Sequence, residues 1–321
     1  MKNKPINLPK LVVILGSTAS GKTELAIKLA KKFSGEILCA DSRTIYQGLN
    51  IGTAKPLGER LKINGYLVTM IENIPHHMID IIKLDTEFTL AQFKTMALNI
   101  ITSINQRNKI PFLVGGTGLY ISSIVDNFKI PHVPPDKKLR KKIEKMIAVQ
   151  GLNYTFNELI KLDPGAKAFV QNDNPRRIIR ALEVCLKTGQ PFSKLRQKGK
   201  PLFDILQIGI KISRENLYQK INQRTDQMIE KGLIKETKKL IEKYPSDSPS
   251  FKTIGYQEII PALLNHSSLD PQKLKKITEL IKKNTRHYAR RQITWFKRDQ
   301  RINWVKNYRA ASQVVKKFLD F

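Results

Sequence analysis

The chain has 321 residues, enough for one large domain or two of ordinary size, and its 41% hydrophobic content is globular rather than disordered. Two cysteines, Cys39 and Cys185, lie far apart in apolar surroundings, which excludes a disulfide framework and suits a reducing compartment. Lys and Arg number 57 against 27 Asp and Glu, a formal charge of +30; where such cations cluster, the partner they fit is a polyanion, most commonly nucleic acid.

The opening MKNKPINLPK lacks an apolar core of signal-peptide length, and no stretch reaches membrane-spanning length, so a cytoplasmic location is expected. LVVIL (11–15) then predicts a buried strand, followed by GSTASGKT, which matches G-x-x-x-x-G-K-[ST] from Gly16 through Ser17, Thr18, Ala19, Ser20, Gly21, Lys22 and Thr23. An amphipathic helix is expected from Lys22 to Phe33, and a second strand, EILCA, ends at Asp41. The glycines allow the loop to turn its N–H groups inward, Lys22 adds a point charge, and the Thr23 hydroxyl can ligate Mg²⁺. The loop should hold a phosphate or diphosphate. It does not specify ATP.

A helix is expected over 89–109, with Leu90, Phe93, Met96, Ala97, Ile100 and Ile104 on one face. PFLVGG (111–116) is another buried strand, running into a glycine turn and Thr117. An ATP hydrolase usually ends such a strand in a carboxylate that handles water and Mg²⁺. Here the strand-terminal acid is Asp41 instead, a position that suits contact with an acceptor nucleophile. Strands alternating with helices imply an α/β fold with a parallel sheet and a site at the strands' carboxyl ends.

FKIPHVPPD (128–136) reads as a proline-rich joint, and helical segments follow to about Lys200. Residues 129–200 are therefore expected to form a helical insertion, with 1–128 and 201–321 making the core. Strand character returns at 202–213, and the remainder is helical, including a basic helix from about Pro271 to Lys297. Cations cluster at Lys137, Lys138, Arg140, Lys141 and Lys142, at Arg176, Arg177 and Arg180, and at Lys282, Lys283, Arg286, Arg290 and Arg291. His76 and His77 are adjacent, project in different directions and lack a third ligand at zinc spacing.

After GSTASGKT come, in order, DSRTIYQGLNIGTAKP, PHHMID, LVGGTGLY, NPRRIIRALEV, IGYQE and RRQITWFKR. Together these runs resemble the tRNA dimethylallyltransferases, also called tRNA isopentenyltransferases, from about Leu11 to Trp304. The resemblance implies a P-loop NTPase-like core with an inserted helical tRNA-binding domain. It also implies transfer of a dimethylallyl group from dimethylallyl diphosphate to N6 of the adenosine 3′ to the anticodon, in tRNAs reading codons that begin with U. Asp41 would then be the base, Thr117 would sit by the reacting adenine, and Arg224 would join Lys22, the loop and Mg²⁺ on the departing diphosphate. By the same resemblance, tRNA contacts are expected at Asp41, Ser42, Arg43, Thr44 and Thr117, and at Lys252, Thr253, Ile254, Gly255, Tyr256 and Gln257. In the insertion they are expected at Arg140, Arg176, Arg177, Ile178, Ile179 and Arg180, and on the C-terminal helix at Arg286, Arg290 and Arg291.

The chain departs from the family pattern at Ser17, usually proline, at Thr44, often glutamine, and in a longer stretch between Pro56 and His76. It carries no C-terminal Cys/His finger, which suits a bacterial-type enzyme, and a monomer suits an enzyme that wraps an anticodon arm. The alternatives are a small-molecule kinase using ATP and an RNA-binding protein that modifies nothing.

Overall fold

The computed structural model describes residues 8–131, 133–195, 197–265 and 270–320. The chain separates into two compact units, Met1–Val125 with Leu202–Phe321, and Asp126–Pro201.

The larger unit opens with β1 (Lys10–Leu15), α1 (Lys22–Lys32), β2 (Gly35–Ala40), β3 (Glu59–Ile63), β4 (Tyr66–Ile71), β5 (Ile74–His77), α2 (Leu90–Gln106), β6 (Ile110–Gly115) and α3 (Gly118–Val125). The smaller unit holds α4 (Lys137–Gln150), α5 (Leu152–Leu162), α6 (Pro175–Thr188) and α7 (Phe192–Leu195). The larger unit resumes with β7 (Asp204–Ile210), α8 (Arg214–Glu230), α9 (Leu233–Lys243), α10 (Tyr256–Leu264), α11 (Pro271–Phe296), β8 (Ile302–Val305) and α12 (Tyr308–Leu319).

Eight strands form one sheet in the order β3-β4-β5-β2-β6-β1-β7-β8, a P-loop NTPase-like α/β core. From β5 to β8 all neighbours pair parallel. The unbroken apolar run of β1 follows from burial on both faces. Leu11, Val13 and Leu15 pack with the apolar faces of α2 and α3, while Val12 and Ile14 pack with α1 and α12. The α2 helix begins at a reciprocal capping box, in which the Thr89 hydroxyl accepts from Gln92 N–H and the Gln92 side chain accepts from Thr89 N–H.

The long stretch before His76 forms an addition to the sheet. β3 and β4 make an antiparallel hairpin beside β5. Its two-residue turn, Asn64-Gly65, has both φ values positive, at 48° and 82°, as a hairpin matched to strand twist requires. β5 places His76 and His77 on opposite faces. His77 Nε2 lies 2.7 Å from Glu36 Oε2, which also accepts from Arg107 Nη2 at 2.8 Å.

In the smaller unit, α6 starts at Asn174, whose side chain accepts from Arg177 N–H, and stops at Gly189 with φ 66°. Its apolar face, Ile178, Ala181, Leu182 and Cys185, joins Ile143 and Leu159 in a separate core.

Candidate active site

Gly115 pairs with Leu15 on one side and Ala40 on the other, so β1, β2 and β6 end level with one another. The residues that follow, Gly16, Asp41 and Gly116-Thr117, therefore leave the sheet together at its carboxyl edge. This is where a parallel sheet leaves room for a ligand.

The loop between β1 and α1 is shaped by two positive φ values, 60° at Ala19 and 90° at Gly21, the latter beginning α1. Ser20 Oγ is buried there without a hydrogen-bond partner. Lys22 Nζ folds back to donate to the Ser17 carbonyl at 3.2 Å. Arg224, from α8, donates to Thr18 Oγ1 at 3.3 Å and to the Thr53 carbonyl at 3.4 Å. Burial lowers the pKa of Lys22, Asp41 counters it, and Arg224 adds to the lowering. Burial lowers Arg224 as well, with Asp41 again opposing. Two desolvated cations against one carboxylate leave positive charge that an anion would satisfy. The orphaned Ser20 hydroxyl supplies a donor in the same cradle. Thr23 is exposed on the first turn of α1, and no cluster of three His, Cys, Asp or Glu stands among the described residues. That donor set fits a Mg²⁺ that takes most of its oxygens from phosphate and water.

On the acceptor side, Asp41 Oδ1 accepts from Arg43 N–H at 2.8 Å. No other bond to this carboxylate is present among the described residues, so its second oxygen is available. Thr117 Oγ1 accepts from Ser42 N–H at 3.1 Å, and the Tyr288 side chain of α11 approaches Thr117. Burial raises the Tyr288 pKa, so its phenol stays protonated.

The GTAKP loop stands behind Arg224 and is pinned from two directions. Lys55 is buried and donates to Asp80 Oδ1 and, at 2.6 Å, to the Tyr46 carbonyl. Glu236 accepts from Ile51 N–H at 3.1 Å and from the Tyr256 hydroxyl at 2.6 Å, while that hydroxyl accepts from Gly52 N–H at 3.1 Å. A Cβ on Gly52 would sit 2.4 Å from the Tyr256 ring, so only glycine allows this contact.

The family model for IPP transferases matches residues 44–299, and that for isopentenyl transferases matches residues 9–68. The chain belongs to the tRNA dimethylallyltransferase family. It is 42% identical to the tRNA dimethylallyltransferase of Halothermothrix orenii, with 97% of this chain and 94% of that protein aligned. It is likewise 42% identical to that of Carboxydothermus hydrogenoformans, over 92% of this chain and 91% of the relative. Among solved structures it is similar to the tRNA isopentenylpyrophosphate transferase of Bacillus halodurans, with TM-score 0.66, 35% identity, and 97% and 95% of the two chains covered. A eukaryotic dimethylallyltransferase acting on tRNA superposes with TM-score 0.68 at 30% identity, covering 89% of this chain and 69% of that one.

The structure brings together the loop Gly16–Thr23, Asp41, Ser42, Thr117 and Arg224, as the family pattern implies. It places several other expected contact residues differently. The Thr44 side chain is buried, its hydroxyl 3.2 Å from Cys39 Sγ, so it offers no contact to RNA. Tyr256 is fully buried and braces the GTAKP loop, and Thr253 and Gly255 are buried beside it, leaving Lys252 and Gln257 exposed. In the smaller unit, Ile178 is core. Arg140 binds the buried Glu183 with both Nε and Nη2, at 2.9 and 3.0 Å, and Arg180 Nη1 binds the same carboxylate at 2.6 Å. Both arginines therefore serve an internal ion cluster, while Arg176 and Arg177 are exposed and Ile179 is half-buried. On α11, Arg290 and Arg291 are exposed, and Arg286 donates to Asn222 Oδ1 at 2.7 Å.

Sequence reasoning assigned no role to Tyr288, Glu236, Asp80 or Gln292. The signal for Gln292 was a polar residue in the stripe shared by Ala289 and Phe296, a position that otherwise reads as core.

Proposed function

We propose that this chain transfers a dimethylallyl group from dimethylallyl diphosphate to N6 of the adenosine immediately 3′ of the anticodon, in tRNAs reading codons that begin with U. The observation that carries this reading is the meeting of Lys22, Arg224 and Asp41 at one sheet edge, with Thr117 alongside. An anion cradle thus adjoins a carboxylate suited to accept a proton.

The adenine N6 lone pair is delocalised into the ring, so the amine is a weak nucleophile. The available oxygen of Asp41 accepts an N6–H as the new C–N bond forms. The allylic C–O bond breaks at the same time, and its electron pair leaves with the diphosphate. Lys22, Arg224 and the loop donors meet the charge that gathers there, in a site where burial strengthens each interaction. A Mg²⁺ held at the Thr23 hydroxyl would add charge neutralisation. The hydroxyls of Thr117 and Tyr288 lie where they can orient the base, which must be unstacked to react. Exposed Lys252, Arg176, Arg177, Arg290 and Arg291 supply cations for the RNA backbone. Among the described residues no helix is long and apolar enough to cross a membrane; a cytoplasmic location and a monomeric state belong to the proposal.

Nucleoside mass spectrometry tests this reading on tRNA incubated with the protein, Mg²⁺ and dimethylallyl diphosphate, beside a parallel reaction with ATP. A dimethylallyl-adenosine product in the first reaction alone is expected. No adduct, with phosphate turnover from ATP, would replace the reading with a small-molecule kinase.

A further inference from the structure

Gln292 lies on α11, buried, with both ends of its side-chain amide engaged. Thr18 N–H, in the phosphate loop, donates to Gln292 Oε1 at 2.8 Å. Gln292 Nε2 donates to the Gly116 carbonyl at 2.8 Å. The amide orientation is fixed by its partners, because a backbone N–H can only donate and a carbonyl can only accept. One side chain thus joins the donor loop to the turn that presents Thr117.

The neighbouring geometry is built around this link. A Cβ on Gly116 would sit 2.3 Å from Gln292 Nε2 and 3.2 Å from the Gly16 carbonyl, so a side chain there would push the three segments apart. Tyr288, one turn earlier on α11, approaches Thr117, and Trp295, one turn later, lies against Gly118 and donates to Ser122 Oγ at 3.4 Å. The three residues share a helix face by their spacing. Thr18 also accepts from Arg224, so Gln292 braces the same residue that seats this half-buried arginine.

We propose that Gln292 is a positioning residue that sets the spacing between the diphosphate loop and the acceptor turn. This rests on the transferase reading above. It touches neither substrate in this arrangement; it acts through Thr18 and through Gly116-Thr117. Its chemistry requires one acceptor and one donor at fixed separation, which glutamine alone among side chains of this length supplies at neutral pH.

Two isosteric variants separate this role from packing. Gln292→Met fills the space and makes neither bond, so single-turnover rate at saturating donor and tRNA should fall about tenfold to a hundredfold, the scale of a small misplacement of reacting groups. Its tRNA affinity should stay near wild type, while its melting temperature should drop by only a few degrees for the two backbone groups left unpaired. Gln292→Glu keeps the acceptor for Thr18 but lacks the proton for Gly116 when ionised. Ionised, it sets a carboxylate oxygen against the Gly116 carbonyl, so its rate should fall at least as far as that of Gln292→Met. Wild-type rates in Gln292→Met would overturn the proposal, as would a wild-type rate in Gln292→Glu. A wild-type protein that forms no dimethylallyl-adenosine would instead remove the transferase reading, which keeps the two failures apart.

Discussion

The Thr117 hydroxyl accepts a hydrogen bond from the Ser42 amide at 3.1 Å, and so ties the turn after β6 to the loop that carries Asp41. The base and the hydroxyl beside it are thereby held as one unit. Thr117→Val keeps the shape and removes that acceptor. A lost hydrogen bond of ordinary net strength, about 0.5–1.5 kcal/mol, corresponds to a rate loss of up to roughly tenfold. Thr117→Ser should recover most of it. Saturating-substrate rates of the two variants check this, and equal rates in the valine variant and wild type would show that the tie is idle.

Arg180 provides a second test, in the smaller unit. Its guanidinium is 2.6 Å from Glu183 Oε2 and also donates to the Val133 carbonyl at 3.0 Å. Glu183 has no exposed surface, and it also accepts from Asp136 N–H at 2.7 Å. Charge clustering and the family resemblance pointed to a tRNA contact for Arg180; its geometry points to stability. Arg180→Ala should cost about 1.5–3 kcal/mol, as for a hydrogen bond to a charged group, and Glu183→Ala a similar amount, because the two arginines it releases are part-exposed and water can reach them. The salt dependence of tRNA binding should match wild type in Arg180→Ala and flatten in Arg176→Ala. Filter binding across a salt series, with denaturant melts alongside, decides between the two roles.

His76 gives the fold a pH dependence of known sign. Burial holds its pKa below the ordinary 6.5; the Ile74 carbonyl and Glu72 oppose this, and His77 adds to it. The ring is neutral in the fold and prefers a proton in the unfolded chain. Its contribution to stability is therefore complete above about pH 6.5 and is lost as pH falls through the lower folded value. Glu36, paired with His77 and Arg107, has its own pKa lowered overall by those partners against burial, so its contribution is lost only in the more acidic carboxylate range. Urea midpoints at about pH 7.5 and 5.5 should converge less in wild type than in His76→Phe, whose stability should change little over that window. Parallel losses in both proteins would assign the effect elsewhere.

The legible parts of this molecule were those in which chemistry constrains sequence spacing. Gly16, Gly21, Lys22 and Thr23 announce the loop because the backbone must curl around an anion. Asp41 stands out as a charge at the end of a buried strand. The β3–β4 hairpin was less legible, although Asn64-Gly65 is a strong turn signal. Four of the five β3 residues are exposed and the fifth is half-buried, so no inward-facing apolar alternation frames the turn. The expected strand at 202–213 shortened to Asp204–Ile210 because only that segment pairs with β1 and β8. The roles of Arg140 and Arg180 were hidden because a run of cations does not reveal a buried carboxylate, although Glu183 stands three residues after Arg180, at helical pairing distance. Gln292 was hidden for the opposite reason: its partners are backbone groups, which leave no mark on composition.

The most direct test of the account is the single-turnover rate of Asp41→Asn, with donor and tRNA affinities measured on the same protein. Asparagine keeps the shape and can still accept from Arg43 N–H, but it is a poor proton acceptor. The account predicts a rate lower by about 10²–10⁴, the range typical of a positioned acid or base, with tRNA affinity near wild type. A variant that forms dimethylallyl-adenosine at the wild-type rate would contradict it, because the carboxylate at the end of β2 would then have no part in the reaction.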